Sequence, residues 1–365
     1  MTARLDILPL ESWIPESDSP LIIAGPCSAE SEEQVLETAA GLAGIPGVRV
    51  FRAGIWKPRT RPEAFEGVGT KGLKWLQKAR EQTGLLLTVE VANPRHVEEA
   101  LDHGIDILWI GARTVVNPFS VQEIGEAIGG RDIPVMVKNP LNPDLKTWLG
   151  AIERLNALGL KKLAAVHRGF SIFNRSPSRN APMWEIPIEL KRLHPGLPVI
   201  ADPSHICGNR ELIPGTMQKA LDLEMNGLMV EAHCCPPKAL TDRNQQVTPA
   251  QLRSFIDGLV LRHQTPGEGF AHKLEELRTE IDKLDEELID ILVRRMKVVE
   301  EIGEYKKANR ITILQLKRWN QLISDRLENA MRLGLNREFM LKLLDAVHEE
   351  GIQRQIDVMN RKDEA

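Results

Sequence analysis

The sequence predicts an α/β fold: a (β/α)8 TIM barrel over residues 1–262, followed by a small all-α domain of three helices. Eight short apolar runs alternate with helical segments over about 250 residues, which is typical of a parallel barrel. Nearly every run ends on a reactive side chain, and beyond residue 262 strand signals give way to charged helical sequence. An open doubly wound sheet is the alternative, but the chain has no early Gly-rich dinucleotide fingerprint to favour it.

The predicted strands are rich in Val, Ile and Leu, and helical end signals appear between them. Ser28 and Ser31 are candidate caps of the first helix, and Asn93 begins a later helix that ends at Gly104. Thr248 and a following proline begin the last helix of the barrel. In chain order, the predicted strands are 21–28, 48–54, 85–92, 107–113, 134–139, 162–169, 198–205 and 227–233.

The carboxyl ends of these strands share a chemical character, because they carry thiol, imidazole, carboxylate or cationic groups. In a barrel all eight ends meet at one face, where active sites lie. In an unrelated fold the same side chains would be scattered. The residues concerned are Cys27, Arg52, Glu90, Arg113, Lys138, Arg168, His205 and Glu231.

Composition excludes several classes of function. The 47 basic and 51 acidic residues give a net charge of −4, which argues against a nucleic-acid-binding protein. No apolar run is long enough to span a membrane, and the first twenty residues lack the apolar core of a signal peptide. Four cysteines in 365 residues are not a disulfide framework, so we expect a cytoplasmic protein.

Cations are concentrated in one short stretch. Arg52, Lys57 and Arg59 fall within eight residues, and Pro58 restricts the backbone between the last two. With Arg113, Lys138 and Arg168 they would form a ring of six positive groups at the mouth of the barrel. We therefore expect a small polyanion, or two of them, as the ligand.

A candidate metal site lies at the same face. Cys27, His205 and Glu231 close three strands, and Asp242 follows eleven residues after Glu231. A thiolate, an imidazole and two carboxylates suit a divalent transition metal better than calcium or magnesium. The alternative interpretation makes Cys27 a packing residue and His205 a hydrogen-bonding one.

The C-terminal part has a different texture. A Pro/Gly-containing linker is predicted at 263–270, and a helical domain at 271–365. Its first helix carries apolar residues in alternating steps of three and four, and two further helices are predicted at about 314–332 and 336–360. Arg295 occupies a position of this apolar stripe, so we expect it to have a partner, and Lys306 lies about three turns further on nearly the same face.

The barrel region, about residues 20–260, resembles the 3-deoxy-D-arabino-heptulosonate-7-phosphate (DAHP) synthases, in the short form related to 3-deoxy-D-manno-octulosonate-8-phosphate synthases. The motifs that carry the resemblance are GPCS at 25–28, RAGIWKPRT at 52–60, IGAR at 110–113, VKN at 137–139, HRG at 167–169, DPSH at 202–205 and VEAH at 230–233. The octulosonate enzymes have a KANRS-type segment where this chain has KPRT. The resemblance therefore implies erythrose 4-phosphate as the acceptor and phosphoenolpyruvate as the donor.

The resemblance also implies roles for individual residues. Arg113 and Arg168 would hold the phosphate of phosphoenolpyruvate. The carboxylate of the donor would be held by Arg52, Lys57 and Lys138. Arg59 and Thr60 would take the phosphate of erythrose 4-phosphate, and Lys57 could also donate a proton to the new alkoxide. A divalent metal (Mn, Fe, Co or Zn) would be bound by Cys27, His205, Glu231 and Asp242, so that Cys27 and His205 also count as catalytic.

The helical region resembles the all-helical chorismate mutases over about residues 271–360. The resemblance implies chorismate as substrate, prephenate as product, and catalysis by Lys306 and Gln355 at the ether oxygen. Gln315 and Trp319 depart from the acids that familiar members carry near the substrate hydroxyl. The substrate-binding positions that match are Arg278, Arg295, Lys306, Arg318 and Gln355.

A distance argument predicts a homodimer through this domain. Arg278 and Lys306 are 28 residues apart, which is roughly 42 Å along one straight helix. No single chorismate spans that length, so Arg278 would come from a second chain. We expect a bifunctional enzyme in which prephenate also inhibits the synthase allosterically. The alternatives are a monofunctional DAHP synthase with a purely regulatory chorismate or prephenate sensor, and an octulosonate-phosphate synthase with a dimerisation domain.

Overall fold

The structure is a computed structural model that describes residues 4–15, 19–58, 63–173, 177–262, 268–314 and 316–361. The side chains of residues 268, 269, 316–318 and 320 lie outside the description. The chain divides into two compact units, residues 1–262 and 263–365, and each is treated by itself.

The first unit contains the predicted barrel, and all eight predicted strands are present. They pair in parallel and in chain order, and β1 closes the sheet by pairing with β8. The strands are β1 Leu21–Gly25, β2 Val48–Arg52, β3 Leu86–Val91, β4 Ile107–Ile110, β5 Val135–Lys138, β6 Leu163–His167, β7 Val199–Ala201 and β8 Gly227–Glu231.

Nine α-helices are described in this unit. Several begin as the sequence predicts, since Ser31 caps α1, Asn93 caps α3, and Thr248 forms a capping box with Gln251 at α9. The helices are α1 Glu32–Leu42, α2 Lys71–Thr83, α3 Pro94–Asp102, α4 Pro118–Ile128, α5 Leu145–Ala157, α6 Glu185–Leu193, α7 Pro203–Cys207, α8 Ile213–Asp222 and α9 Pro249–Asp257.

The strand register builds the barrel interior in two levels. A buried apolar cluster without members from α1–α9 fills the interior, and Leu10 and Ile14 of the N-terminal segment also belong to it. Side chains on a strand alternate between its two faces, so the residue two positions beyond the last inward-pointing residue of this lower level also points inward. We call this second level the upper interior layer, and its members are Gly25, Arg52, Glu90, Gly111, Lys138, Arg168, Asp202 and Glu231.

The second unit consists of three helices, in agreement with the prediction: α10 Glu268–Ala308, α11 Leu316–Arg332 and α12 Arg337–Asn360. The helix α10 begins at Glu268, three residues before the predicted start of the helical domain at residue 271. Among the described helices of either unit, none combines the length and apolarity that crossing a membrane requires.

One expectation about α10 is wrong. Its apolar stripe, which includes Ile281, Leu284 and Leu288, is exposed in the single chain and does not turn toward a core. The face that meets α12 includes instead the buried residues Val299 and Gly303. Since α10 has apolar residues on two faces, periodicity alone could not select the face that packs within the chain.

Candidate functional site

The upper interior layer places buried charges in pairs. Arg52 Nη2 donates a hydrogen bond to Glu231 Oε1 over 3.1 Å, and Lys138 Nζ donates to Asp202 Oδ2 over 2.8 Å. All four side chains are buried. Because an unpaired buried charge is costly, these pairs account for the presence of charge at this depth in the barrel.

Trp109 lies one level lower and supports both cations. The guanidinium carbon of Arg52 lies 5.1 Å from the centroid of the indole ring, and Lys138 Nζ lies 5.7 Å from it. The indole Nε1 donates to Glu90 Oε2 over 3.3 Å. Trp109 therefore stabilises two cations through its face and a carboxylate through its edge.

Two donors of Arg52 point to a ligand. Its Nε and Nη1 atoms are buried and have no hydrogen-bond partner among the described residues. Buried donors of this kind are usually satisfied, and a bound anion would satisfy them. A guanidinium with open donors can bind an oxygen of a carboxylate or phosphate.

The cavity above this layer is strongly cationic. Lys57, Arg113, Lys138 and Arg168 of the predicted ring line it, and Arg179 lines it as well. Burial is the main reason that the pKa of Arg168 falls to about 10, and the like charges of Arg179 and Arg113 act in the same direction. An anion between these guanidinium groups would relieve their repulsion.

The predicted metal ligands are close together beside this cavity. Sγ of Cys27 and one carboxylate oxygen each of Glu231 and Asp242 lie within 4.8 Å of one another. His205 Nε2 is 3.7 Å from Glu231 Oε1, while its Nδ1 is 2.8 Å from Asp202 Oδ2. The imidazole is thus oriented by a carboxylate on its far side, as is usual for a metal-binding histidine. This donor set fits a divalent transition metal ion.

The protonation states follow from burial and charge. Burial, assisted by Glu231, raises the pKa of the Cys27 thiol to about 12. Burial also lowers the pKa of His205, which leaves a neutral imidazole at neutral pH. Burial opposes ionisation of Asp242, but His205 and Arg179 outweigh it and keep the pKa of this carboxyl well below its usual range. A metal bound by Cys27 would therefore displace the thiol proton.

Local sequence explains how several of these groups reach the site. Asp202 caps the short helix α7, and its Oδ1 accepts from the backbone N–H of His205 over 3.1 Å. Asp242 has a left-handed φ of +46°, which Asp tolerates better than most residues and which is frequent at functional sites. A Cβ on Gly54 would lie 2.2 Å from Cε of Lys57, so only glycine leaves room for this lysine. Lys57 Nζ then donates to Cys27 Sγ over 3.3 Å.

Some site residues were missed by sequence reasoning, and two predicted ones cannot be placed. Arg179 does not directly follow a strand. Trp109 lies within the apolar run of β4, where nothing in the sequence distinguishes it from the other strand residues. Asp202 does carry a signal, because Asp followed by proline is a typical helix start. Arg59 and Thr60 lie outside the described residues.

The second unit brings together part of its predicted site. Lys306 Nζ donates to Gln355 Oε1 over 3.0 Å and to the carbonyl oxygen of Ile313 over 2.6 Å. Arg295 Nη1 donates to the Val347 carbonyl oxygen over 3.3 Å, one α12 turn before Gly351. Arg295 Nη1 would lie 3.7 Å from a Cβ built on Gly351, so this glycine leaves the space beside the guanidinium open.

The remaining mutase positions are not assembled within the chain. Arg278 is exposed, its Nη1 lies 3.7 Å from Glu275 Oε2, and it lies on the same continuous helix as Lys306. The side chain of Arg318, and the whole of Gln315, lie outside the described residues. Trp319 stacks on His348 with ring centroids 3.5 Å apart.

The comparisons with known proteins assign a family to each unit. Residues 11–260 match the model of the DAHP synthetase I family, and residues 277–356 match the model of chorismate mutase type II. A phospho-2-dehydro-3-deoxyheptonate aldolase of Thermotoga maritima is 34% identical over 226 residues, which are 62% of this chain. The match spans 64% of that relative, less than two thirds of its length.

Two further relatives share the barrel. A 2-dehydro-3-deoxyphosphooctonate aldolase of Desulfatibacillum aliphaticivorans is 29% identical over an alignment of 273 positions, which covers 66% of this chain and 90% of that protein. A crystal structure of the DAHP synthase from Thermotoga maritima has a TM-score of 0.61 to this chain at 29% identity. The alignment covers 70% of this chain and 76% of that structure.

Both resemblances seen in the sequence are thereby confirmed, as are the barrel and the helical architecture. The chain contains a transferase domain of the DAHP synthase type and an isomerase domain of the chorismate mutase type. Because the match over residues 11–260 covers the whole barrel and more than half of the sequence, the chain belongs to the DAHP synthetase I family.

Proposed function

We propose that this chain is a bifunctional enzyme of aromatic amino-acid biosynthesis. The barrel would condense phosphoenolpyruvate with erythrose 4-phosphate to DAHP and phosphate, and the helical unit would rearrange chorismate to prephenate. The observation that carries the synthase proposal is the cavity lined by Lys57, Arg113, Lys138 and Arg168, which lies beside the candidate metal ligands Cys27, His205, Glu231 and Asp242.

The donor substrate has two anionic groups. Arg52 and Lys57 contact candidate metal ligands, Lys138 contacts the carboxylate beside His205, and these three cations would hold the carboxylate. Arg113 and Arg168, which line the cavity, would hold the phosphate. Held between them, phosphoenolpyruvate would present its C3 carbon to the second substrate without the entropy cost of a free encounter.

The condensation forms a carbon–carbon bond at C3 and a carbon–oxygen bond to water at C2, and it breaks the bond between C2 and the phosphate oxygen. C3 of phosphoenolpyruvate attacks the aldehyde carbon, water adds at C2, and inorganic phosphate leaves. A divalent ion at Cys27, His205, Glu231 and Asp242 would polarise the aldehyde oxygen as a Lewis acid. Lys57 Nζ lies 3.3 Å from Cys27 Sγ, where it can give a proton to the developing alkoxide.

The choice of aldehyde rests on KPRT at 57–60, of which residues 59 and 60 lie outside the described part of the chain. Its proline and arginine resemble those of DAHP synthases, whereas octulosonate synthases carry the KANRS-type segment. A similarity to a 2-dehydro-3-deoxyphosphooctonate aldolase keeps arabinose 5-phosphate as the second candidate. A cytoplasmic location remains an expectation from the sequence.

The helical unit would act as a mutase in a homodimer. Lys306 and Gln355 already meet and would face the ether oxygen of chorismate. Arg278 is roughly 42 Å away along α10, so it would complete the site of a partner copy. The exposed apolar stripe of α10 supports such a partner, because a row of apolar side chains of this length is seldom left in water.

Prephenate would also restrain the barrel. A mutase site must bind prephenate as its product, and the resulting feedback would lower synthase turnover. The alternative is a helical unit that senses prephenate without catalysing its formation. Gln315 and Trp319 favour this alternative, because they stand at positions where familiar mutases carry acids.

The aldehyde preference tests the synthase proposal directly. Phosphoenolpyruvate consumption by the manganese-loaded protein should be supported by erythrose 4-phosphate and not by arabinose 5-phosphate. Chelation of the metal should abolish turnover, and prephenate should lower it. Turnover with arabinose 5-phosphate alone would show that KPRT had been misinterpreted, and turnover indifferent to prephenate would remove the feedback proposal.

The open donors of Arg52 generate a second prediction. Arg52→Lys keeps a cation beside Glu231 but removes the guanidinium with its open Nε and Nη1 donors. We expect the KM for phosphoenolpyruvate to rise about 10- to 100-fold, which corresponds to the loss of one or two charge-assisted hydrogen bonds. Initial rates at saturating aldehyde measure this change. Arg49→Lys is the matched control, because Arg49 lies on the same strand but bonds to the carbonyl oxygens of Pro15 and Ser19. An unchanged KM in Arg52→Lys would place the carboxylate elsewhere.

The pKa of Cys27 generates a third prediction. The thiol is protonated at neutral pH, so binding of a metal to the thiolate releases a proton, and affinity should rise about tenfold per pH unit. Above its lowered pKa, His205 is already neutral, so it adds nothing to the pH dependence of metal affinity. Titration calorimetry at pH 7 and 8, in two buffers of different ionisation enthalpy, measures both quantities. Cys27→Ser should bind more weakly and lose the slope; a flat profile in the unaltered protein would exclude thiolate ligation.

The exposed stripe generates a fourth prediction. The double variant Leu284→Glu and Leu288→Glu should be monomeric by light scattering and should lose mutase turnover, because Arg278 of a partner is no longer supplied. Lys283→Glu adds an acid between stripe positions and should remain dimeric. A dimer that survives the double substitution would assign the interface to another surface, and a monomer with full mutase turnover would end the shared-site proposal.

A further inference from the structure

The dipeptide Arg179–Asn180 lies in the connection between β6 and α6 and is held by backbone hydrogen bonds. Arg179 N donates to the Cys207 carbonyl oxygen, and Asn180 N donates to the Ile206 carbonyl oxygen, each over 3.0 Å. The next residue, Ala181, forms an antiparallel bridge with Phe170. The dipeptide is therefore a defined part of the barrel face.

Its side chains contact two of the four candidate metal ligands directly and a third through Gln245. Arg179 Nη1 donates to Asp242 Oδ1 over 2.9 Å and to Gln245 Oε1 over 2.8 Å. Gln245 Nε2 in turn donates to Glu231 Oε2 over 2.8 Å. Asn180 Nδ2 donates to the carbonyl oxygen of His205 over 2.6 Å.

These contacts divide the oxygens of each carboxylate between two tasks. Oδ1 of Asp242 is held by Arg179, while Oδ2 lies 3.4 Å from Cys27 Sγ. Oε2 of Glu231 is held by Gln245, while Oε1 faces His205 and Arg52. Asp242 Oδ1 and Glu231 Oε2 are thus anchored by this network, while Asp242 Oδ2 is turned toward Cys27, and Glu231 Oε1, which also accepts from Arg52, is turned toward His205.

Packing fixes the stem of Arg179 as well. Gly208 ends α7 with a left-handed φ of +66°, and a Cβ built on it would lie 2.4 Å from Cβ of Arg179. The aliphatic part of Arg179 therefore lies against a surface that only glycine leaves free. The side chain is half exposed at its tip, whereas Gln245 is buried.

We propose that Arg179 and Gln245 form a positioning pair that orients Asp242 and Glu231 for the metal and thereby sets metal affinity. This inference rests on the proposed metal site, and it adds residues that are not ligands. Outer partners of metal ligands typically contribute 10- to 100-fold to affinity. Neither Arg179 nor Gln245 transfers a proton or touches a reacting atom in this scheme.

The sign of the effect separates positioning from simple electrostatics. A nearby guanidinium repels a divalent cation, so its removal should strengthen metal binding if charge alone matters. If Arg179 acts by orienting Asp242 and Gln245, its removal should weaken binding instead. The two explanations therefore predict opposite changes in the same dissociation constant.

The experiment is a competition titration of Co²⁺ into the full-length protein without substrates, followed by the absorption of the cobalt–thiolate bond. Arg179→Met should weaken Co²⁺ binding about 10- to 100-fold. Arg179→Lys keeps the charge but has a shorter side chain that reaches less far toward Asp242 and Gln245, so it should lose part of that amount. Arg243→Met is the matched control: it removes an exposed cation next to Asp242 that has no described side-chain hydrogen bond, and its affinity should be unchanged or slightly higher.

A double-variant cycle tests the connection through Gln245. Gln245→Met should weaken Co²⁺ binding on its own, and combined with Arg179→Met it should lose less than the sum of the two single effects, because Arg179 reaches Glu231 only through Gln245. Circular dichroism melts confirm that each variant is folded.

The outcomes separate the two levels of the argument. Unchanged or tighter Co²⁺ binding in Arg179→Met, with normal binding in the unaltered protein, overturns the positioning pair and leaves the metal site intact. A raised KM for phosphoenolpyruvate with unchanged Co²⁺ affinity overturns it too, and makes Arg179 a substrate ligand. An unaltered protein that binds no Co²⁺ overturns the proposed metal site together with this inference.

Discussion

The site depends on one geometric constraint, the two-residue period of side chains on eight strands that close into a barrel. Closure brings one side chain from each strand to the upper interior layer, and alternation decides which one. Three of these side chains are cationic, three are carboxylates and two are glycines. A buried layer of this composition is tolerable only because its charges are balanced among themselves.

Two of the carboxylates, Glu231 and Asp202, each contact a cation of the proposed anion site and also take part in the candidate metal site. Glu231 accepts from Arg52 and also belongs to the candidate ligand set, while Asp202 accepts from Lys138 and orients His205. A change at either carboxylate would therefore affect both a protein cation that is proposed to bind the substrate and the candidate metal site. Trp109 adds a third link, because its ring contacts both cations.

Much of the barrel could be predicted because its strands are buried on both faces, which leaves continuous apolar runs that end at chemically reactive residues. Arg179 and Gln245 could not, because they lie in connections whose path is set by tertiary contacts and not by any period. Trp109 carries no signal that separates a cation support from an ordinary core residue. In the helical unit, the apolar stripe was visible, but the face that packs on α12 was not, since Val299 and Gly303 follow the same helical period with an offset.

The two glycines of the upper interior layer bear on how such a barrel can diverge. A Cβ at Gly25 would lie 2.1 Å from the Arg52 carbonyl oxygen, and one at Gly111 would lie 2.0 Å from Glu90 Oε1. Neither glycine position therefore has space for an additional functional group unless its neighbour moves. The connections above the strands can change length and sequence more freely, so new substrate choice is more accessible there. KPRT, on which the proposed choice of aldehyde rests, follows β2 in the sequence.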